Sequence, residues 1–174
     1  MLKIQTLNNI SVAGLERFAR DRYEVASELA RPDAIMVRSA NMHDMDVPDS
    51  VLAVGRAGAG VNNIPLPTLS ARGVPVFNAP GANANAVKEL VLAGLFLASR
   101  NLCDAWAFAK QLDGSDAEIS KAVEAGKKNF VGVELPGRVI GILGLGAIGV
   151  KVANAAHALG MRVTGYDPKI TVDR

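Results

Sequence analysis

Val139-Ile140-Gly141-Ile142-Leu143-Gly144-Leu145-Gly146-Ala147-Ile148-Gly149 is followed, one helix later, by Met161-Arg162-Val163-Thr164-Gly165-Tyr166-Asp167. An apolar, partly β-branched run that meets Gly-x-Gly-x-x-Gly, then a helix rich in small residues, then a short strand ending in an acid is the order of a dinucleotide-binding βαβ unit. Gly144 lets the chain turn sharply out of the strand, Gly146 removes the side chain that would keep a pyrophosphate off the backbone, and Gly149 lets the helix sit close on the sheet. The helix starting near Ala147 and Ile148 points its unpaired amides and positive dipole end at that pyrophosphate. Asp167 lies 18 residues past Gly149, where a carboxylate accepts hydrogen bonds from ribose hydroxyls and repels a 2′-phosphate, which favours NAD over NADP. With Pro168 behind it, Asp167 also reads as a plain strand-end turn.

The rest of the chain limits the function classes. Its 174 residues are 49% apolar, enough for one good core or two small ones. Net charge is +2, the 19 basic residues are scattered and aromatics make up 5%, so no nucleic-acid surface is expected. The single cysteine, Cys103, forms no internal disulfide and reads as an inert, half-buried helix residue of a reducing compartment. No export signal is evident at the N-terminus, and the apolar run Leu90 to Ala98 is too short to span a bilayer, so a cytoplasmic location without membrane partners is expected.

Read in order, Leu2 to Leu7, Tyr23 to Ala26, Ala34 to Ser39, Leu52 to Gly55 and Val74 to Asn78 are strand candidates. Val12 to Arg20, Leu66 to Arg72 before Gly73, and Ala84 to Arg100 are helix candidates. This alternation predicts an α/β protein with a parallel sheet covered on both faces. Residues 101–128 turn polar and helical, break around Asp113-Gly114-Ser115, hold no strand candidate and read as a crossing between two sheets. Only the first two strands of a dinucleotide fold follow, so the sequence reads either as a fragment of a longer enzyme or as a truncated product that uses the half-fold for something else.

A second glycine loop, Gly55-Arg56-Ala57-Gly58-Ala59-Gly60-Val61-Asn62-Asn63, lacks the third glycine and is not read as another dinucleotide site. Its bare amides suit a small carboxylate, as a nest does, and Arg38 at the end of the preceding strand brings a planar donor fork to the same anion. Lys88, early in the long helix, is a weaker candidate and reads better as a solvated side chain. Neither His43, in Asn41-Met42-His43-Asp44-Met45-Asp46, nor His157, in mid-helix, makes a convincing catalyst, and His43-x-x-Asp46 lacks the further ligands of a metal site.

Arg38-Ser39-Ala40, Val54 through Asn63, Gly73-Val74-Pro75-Val76-Phe77-Asn78-Ala79-Pro80, Glu89-Leu90, and Leu135-Pro136-Gly137-Arg138 through Tyr166-Asp167-Pro168 together resemble the D-isomer-specific 2-hydroxyacid dehydrogenases. The resemblance implies a flavodoxin-like parallel-sheet substrate domain over residues 1–98. Residues 99–174 would then hold dimerisation helices, centred on 101–128, and the first βαβ part of a Rossmann NAD-binding domain. It implies NAD on Gly144, Gly146, Ala147, Ile148, Gly149 and Asp167. It also implies a small anionic 2-hydroxy acid held by Arg38, Ser39 and the amides of Ala59 and Gly60. Two positions depart from the family: Asn62 stands where an acid is frequent, and Ala147 where a basic residue is frequent. The family's catalytic Arg, Glu and His fall beyond Arg174, so no catalytic residue is assigned and no turnover is expected from these residues alone. The implied reaction is NAD-dependent oxidation of a 2-hydroxy acid, with 3-phosphoglycerate the first substrate expected and glyoxylate or hydroxypyruvate reduction the second. A non-catalytic oligomerisation module is the reading from another class.

Overall fold

A computed structural model describes residues 1–169, and residues 170–174, the end of the expected second domain, lie outside the described residues. The chain forms two compact units, Met1–Ala82 and Asn83–Arg174.

The first unit is a five-stranded sheet, β1 (Leu2–Leu7), β2 (Tyr23–Ala26), β3 (Ala34–Val37), β4 (Ala53–Arg56) and β5 (Val76–Phe77), with α1 (Val12–Leu15) and α2 (Leu66–Ala71) between strands. All four pairings are parallel and the order is β2-β1-β3-β4-β5. That is the flavodoxin-like order, in which ligands bind beyond the carboxyl ends of the strands. Ile35 and Val37 of β3 and Val54 of β4 are fully buried and pack with Met42, Leu69 and Ile64 into the larger core. Strands buried like this on a parallel sheet are apolar runs, as β3 is.

Three elements are shorter than the pattern predicts. α1 stops at Leu15, and residues 16–22 continue as separate turns that end with Tyr23 donating to Ala19 O at 2.9 Å. β5 keeps only Val76 and Phe77, because Pro75 has no N–H for the ladder and Val74 donates instead to Leu69 O at the end of α2. β3 ends at Val37, so Arg38 and Ser39 stand just past the sheet.

The second unit begins with α3 (Ala84–Ser99), α4 (Leu102–Lys110) and α5 (Asp116–Gly126), followed by a 3-10 turn over Lys127–Phe130. It ends with β6 (Val139–Leu143), α6 (Ala147–Ala158) and β7 (Arg162–Tyr166). The expected boundary at residue 98 places α3 with the first sheet, but α3 packs along α6 and belongs to the second unit. No single helix among the described residues is long and apolar enough to cross a membrane. Cys103 is exposed on α4, not half-buried as its helical setting suggested.

The break between α4 and α5 is built from Gly114 at φ +124° and a capping box, in which Glu118 accepts from both the amide and the hydroxyl of Ser115 at 2.9 and 2.7 Å. These bonds, the hydroxyl's first, hold the Glu118 carboxyl below its ordinary pKa. Ser115→Ala is expected to destabilise the helical arm by about 1 kcal/mol, the usual cost of losing a cap. Thermal unfolding checks this, and an unchanged midpoint would mean that the arm's fold does not depend on the cap.

The β6–β7 pair is covered on one face only. Ile140 and Val163 turn inward onto Leu135, Ala156 and Met161. The registered pairs Val139 with Arg162, Gly141 with Thr164 and Leu143 with Tyr166 are exposed.

Candidate functional site

β6 delivers the chain to Gly144, whose φ of +91° lies in the region that only glycine occupies without strain. The Gly144 amide donates to Tyr166 O at 2.7 Å, extending the strand pairing by one step, and the next amide, of Leu145, donates to Asp167 Oδ2 at 2.8 Å. A Cβ on Gly146 would have nothing within 4 Å, whereas one on Gly149 would lie 1.9 Å from Gly144 O. The first position is therefore open to a ligand, and the second is closed by the loop's own backbone. α6 starts at Ala147 with no side-chain cap, and among the described residues the amides of Gly146, Ala147 and Ile148 find no acceptor. Free N–H groups at the positive end of a twelve-residue helix favour an anion.

Asp167 has two roles in this geometry. Its Oδ1 accepts from the Lys169 amide at 2.9 Å, which makes the strand-end turn, while its Oδ2 holds the glycine loop. Donation from the Lys169 amide, then from that of Leu145, with a smaller pull from the Lys169 charge, sets the carboxyl below its ordinary pKa. It is ionised at neutral pH. Each oxygen keeps a lone pair for a further donor. These residues fit a dinucleotide: an uncapped helix start, a bare glycine facing it, and a carboxylate fixed at the loop's edge.

The first unit carries the other candidate loop. β3 and β4 are parallel neighbours with Val37 opposite Arg56, so Arg38, Ser39 and residues 57–63 leave the sheet at the same carboxyl end. The loop is tied at several points. Ala57 donates to Val37 O at 2.8 Å, Ala79 to Gly58 O at 2.9 Å, and Asn78 Nδ2 to Ala59 O at 2.7 Å. On the other flank Met42 donates to Asn63 O at 2.9 Å, Asn63 Nδ2 to Ala40 O at 2.7 Å, and His43 Nε2 to Asn62 O at 2.9 Å. Among the described residues the amides of Ala59 and Gly60 find no acceptor, and Arg38 is exposed and makes no ion pair. Ser39 has its amide engaged by Asn8 Oδ1 at 3.2 Å, so only its hydroxyl is left for a ligand. The arrangement can hold a small carboxylate on backbone donors with an arginine beside it.

Several residues of this site are not evident from the sequence pattern. Arg56 is read there only as part of a glycine loop, yet its Nε is buried without a partner and its guanidinium occupies the space a Cβ on Gly58 would need. Asn63, Asn78 and His43 act as loop anchors, and the run Asn62-Asn63 was their one visible signal. The weaker candidates lie elsewhere. Lys88 is in the second unit, where its ammonium donates to Asn85 Oδ1 at 2.8 Å and lies 3.9 Å from Glu89. His157 is exposed in the last turn of α6. No three His, Cys, Asp or Glu residues are grouped to hold a metal among the described residues.

Comparison with known proteins bears on the whole chain. Residues 3–164 match the family described as D-isomer specific 2-hydroxyacid dehydrogenase, catalytic domain. D-3-phosphoglycerate dehydrogenase of Rattus norvegicus is 36% identical over 160 residues, covering 90% of this chain and 28% of that protein. The protein of the same name from Methanocaldococcus jannaschii is 35% identical over 150 residues, covering 84% of this chain and 26% of that one. The chain thus spans little more than a quarter of the length of these relatives. Among solved structures, an NADPH-dependent glyoxylate/hydroxypyruvate reductase of Sinorhizobium meliloti superposes with a TM-score of 0.81 at 22% identity, over 100% of this chain and 56% of that one. An NAD+-bound 3-phosphoglycerate dehydrogenase of Entamoeba histolytica gives 0.67 at 23% identity, over 99% of this chain and 56% of that one. These likenesses carry the fold, while the family match over nearly all the described residues carries membership: this chain belongs to the D-isomer-specific 2-hydroxyacid dehydrogenases.

Proposed function

We propose that this chain provides the substrate-binding unit and the first part of the nucleotide-binding unit of an NAD-dependent dehydrogenase that oxidises a D-2-hydroxy acid, 3-phosphoglycerate before others, to the 2-oxo acid. The observation that carries the cofactor side is Asp167, held 2.8 Å from the Leu145 amide at the edge of the glycine loop. A fixed carboxylate at this point accepts from ribose hydroxyls and disfavours a 2′-phosphate. NAD, when bound, supplies the hydride acceptor. Gly146, Ala147 and Ile148 offer the pyrophosphate their amides, and Gly144 and Gly149 shape the loop that presents them. On the substrate side, Ala59 and Gly60 offer amides to the carboxylate. Arg38 and the Ser39 hydroxyl supply donors, and Arg56 adds a cation under the same loop. The choice of 3-phosphoglycerate rests on identities near 35% to proteins of that name. The likeness to the reductase rests on a fold shared at 22% identity.

Backbone amide NMR of the chain tests both halves. NAD is expected to shift Gly144 through Gly149 and Asp167. 3-Phosphoglycerate is expected to shift Ala59 and Gly60 at lower concentration than glyoxylate or hydroxypyruvate does. Shifts confined to other residues would overturn the reading. Residues 1–174 alone are expected to form no NADH from 3-phosphoglycerate, because no base or polarising cation for the reacting hydroxyl is assigned among them.

The helical arm supports a second element of the proposal, self-association through residues 101–128. Trp106 is 64% exposed, with the Lys110 ammonium 4.6 Å over its ring, and Leu102 and Val123 are exposed too. Sedimentation that gives a monomer at micromolar concentration would remove this element.

A further inference from the structure

We propose that Asn78 is a positioning residue for substrate, fixing the direction of the Gly60 amide by holding the carbonyl of the same peptide. This rests on the substrate-side reading above.

β5 ends at Phe77, opposite Gly55 of β4, so Asn78 and Ala79 run on past the sheet beside the loop that follows β4. Pro80 comes next, and a residue before proline is confined to extended backbone, which keeps Ala79 from turning back. From this segment two donors reach two successive carbonyls. The Ala79 amide donates to Gly58 O at 2.9 Å, and Asn78 Nδ2 donates to Ala59 O at 2.7 Å.

Each of those carbonyls shares a planar trans peptide with one of the two amides assigned to the substrate carboxylate. Gly58 O lies across its peptide from the Ala59 N–H, and Ala59 O across the next one from the Gly60 N–H. In a trans peptide the N–H points opposite to the C=O, so both amides face away from Asn78 and Ala79. Ala59 and Gly60 are both exposed.

The two ties differ in kind. The Ala59 amide is set by a backbone donor, which a change of side chain at position 78 leaves in place. The Gly60 amide is set by a side chain, and among the described residues the Ala59–Gly60 peptide makes no other hydrogen bond. Released, this peptide rotates about the bonds that flank it, and glycine at position 60 accepts the new φ at no steric cost. A carboxylate that needs both donors then loses one. Asn78 itself touches no substrate atom and acts only through the Gly60 amide.

Two variants separate this role from plain folding. Asn78→Ala removes the donor from an exposed position without adding bulk. Asn78→His puts ring Nδ1 as many bonds from the backbone as Nδ2 of asparagine, and at about pH 8, where an ordinary imidazole is neutral, Nδ1 can donate to the same carbonyl. Affinity for 3-phosphoglycerate is expected to fall about fivefold in Asn78→Ala and to stay within about twofold of the original in Asn78→His, as for the loss and replacement of one neutral hydrogen bond. In Asn78→Ala the ligand-induced shift of Gly60 is expected to shrink while that of Ala59 stays, because Ala79 still holds Gly58 O. The NAD-dependent shifts at Gly144–Gly149 are expected to be unmoved in both. Should Asn78→Ala fail to fold, Asn78→Ser, whose hydroxyl stops one bond short of the amide nitrogen, takes its place. Equal affinity in Asn78→Ala and the original, equal loss in the two variants, or Ala59 and Gly60 shifts that fade together would overturn the role. If the unaltered chain shows no shift at Ala59 or Gly60, the substrate-side reading fails by itself. The tie is then judged without ligand, by amide nitrogen relaxation. Motion that rises at Gly60 and not at Ala59 in Asn78→Ala, and is quenched again in Asn78→His, supports the tie, and relaxation alike in all three overturns it.

Discussion

Gly149→Val is expected to destabilise the second unit by about 3 kcal/mol, the upper end of the usual cost of overpacking, and to abolish the NAD-induced shifts. The reason is a backbone contact. A Cβ at this position would sit 1.9 Å from Gly144 O and 3.0 Å from Gly144 C, with Ile142 Cγ2 behind them at 3.4 Å. A flexible side chain would move aside at small cost, but Gly144 is fixed by its own amide bond to Tyr166 O and by the strand that precedes it. The helix must therefore lift from the sheet or the loop must open, and either moves the Ala147 and Ile148 amides out of line. Gly146→Ala is the control, since a Cβ there meets nothing within 4 Å. It should leave stability within about 0.5 kcal/mol and yet weaken NAD binding, because the new methyl group projects into space that the fold leaves empty. Thermal unfolding and NAD titration of the two variants check this. Equal melting of Gly149→Val and the unaltered chain would show that the third glycine does not set the helix's approach.

Asp167→Ala is expected to weaken NAD binding about thirtyfold, in the range for losing a hydrogen-bonded charge. The substitution removes the acceptor for Leu145 and Lys169 together, so the loop loses its tie to β7 as the ribose loses its partner. Asp167→Asn keeps the shape and one acceptor oxygen, and should fall between the two. The pH dependence follows from the sign of the shift. The folded pKa lies below the ordinary value. The carboxylate's contribution is therefore fully present above the unfolded-state pKa, near 4, and is lost as pH falls through that value towards the folded one. Glu118, lowered by the Ser115 cap, acts in the same acidic window. Between pH 5 and 8 neither group changes the fold. An NAD affinity that is the same in Asp167→Ala and the original would remove the carboxylate from the site.

Much of this was visible in the residues because the signals are local. Gly144, Gly146 and Gly149 each have a separate steric reason, and the structure shows two of them directly: the positive φ at Gly144 and the blocked Cβ at Gly149. The alternation of β-branched runs with helices gave the parallel α/β class, and the strand order followed it. Other features depend on partners far along the chain. α3 looks like the next helix of the first sheet until it is seen packed on α6, whose residues come some fifty positions later. β5 was overestimated because the missing N–H of Pro75 matters only once its neighbour in the ladder is known. The anchoring roles of His43, Asn63 and Asn78 are not legible in the sequence, since a side chain that holds a distant carbonyl leaves no periodic trace. Arg56 was hidden in a stretch valued for its glycines.

The uncovered side of the β6–β7 ribbon has a consequence of its own. Leu143 is 88% exposed and stands in register with Tyr166, four residues along from Val139 on the same face. A flat greasy strip next to strand edges with unused ladder groups attracts its own kind, so these 174 residues should grow stickier as their concentration rises. A charged residue in place of Val139, exposed at the end of β6 away from the glycine loop, is where one would begin in making the protein easier to keep in solution.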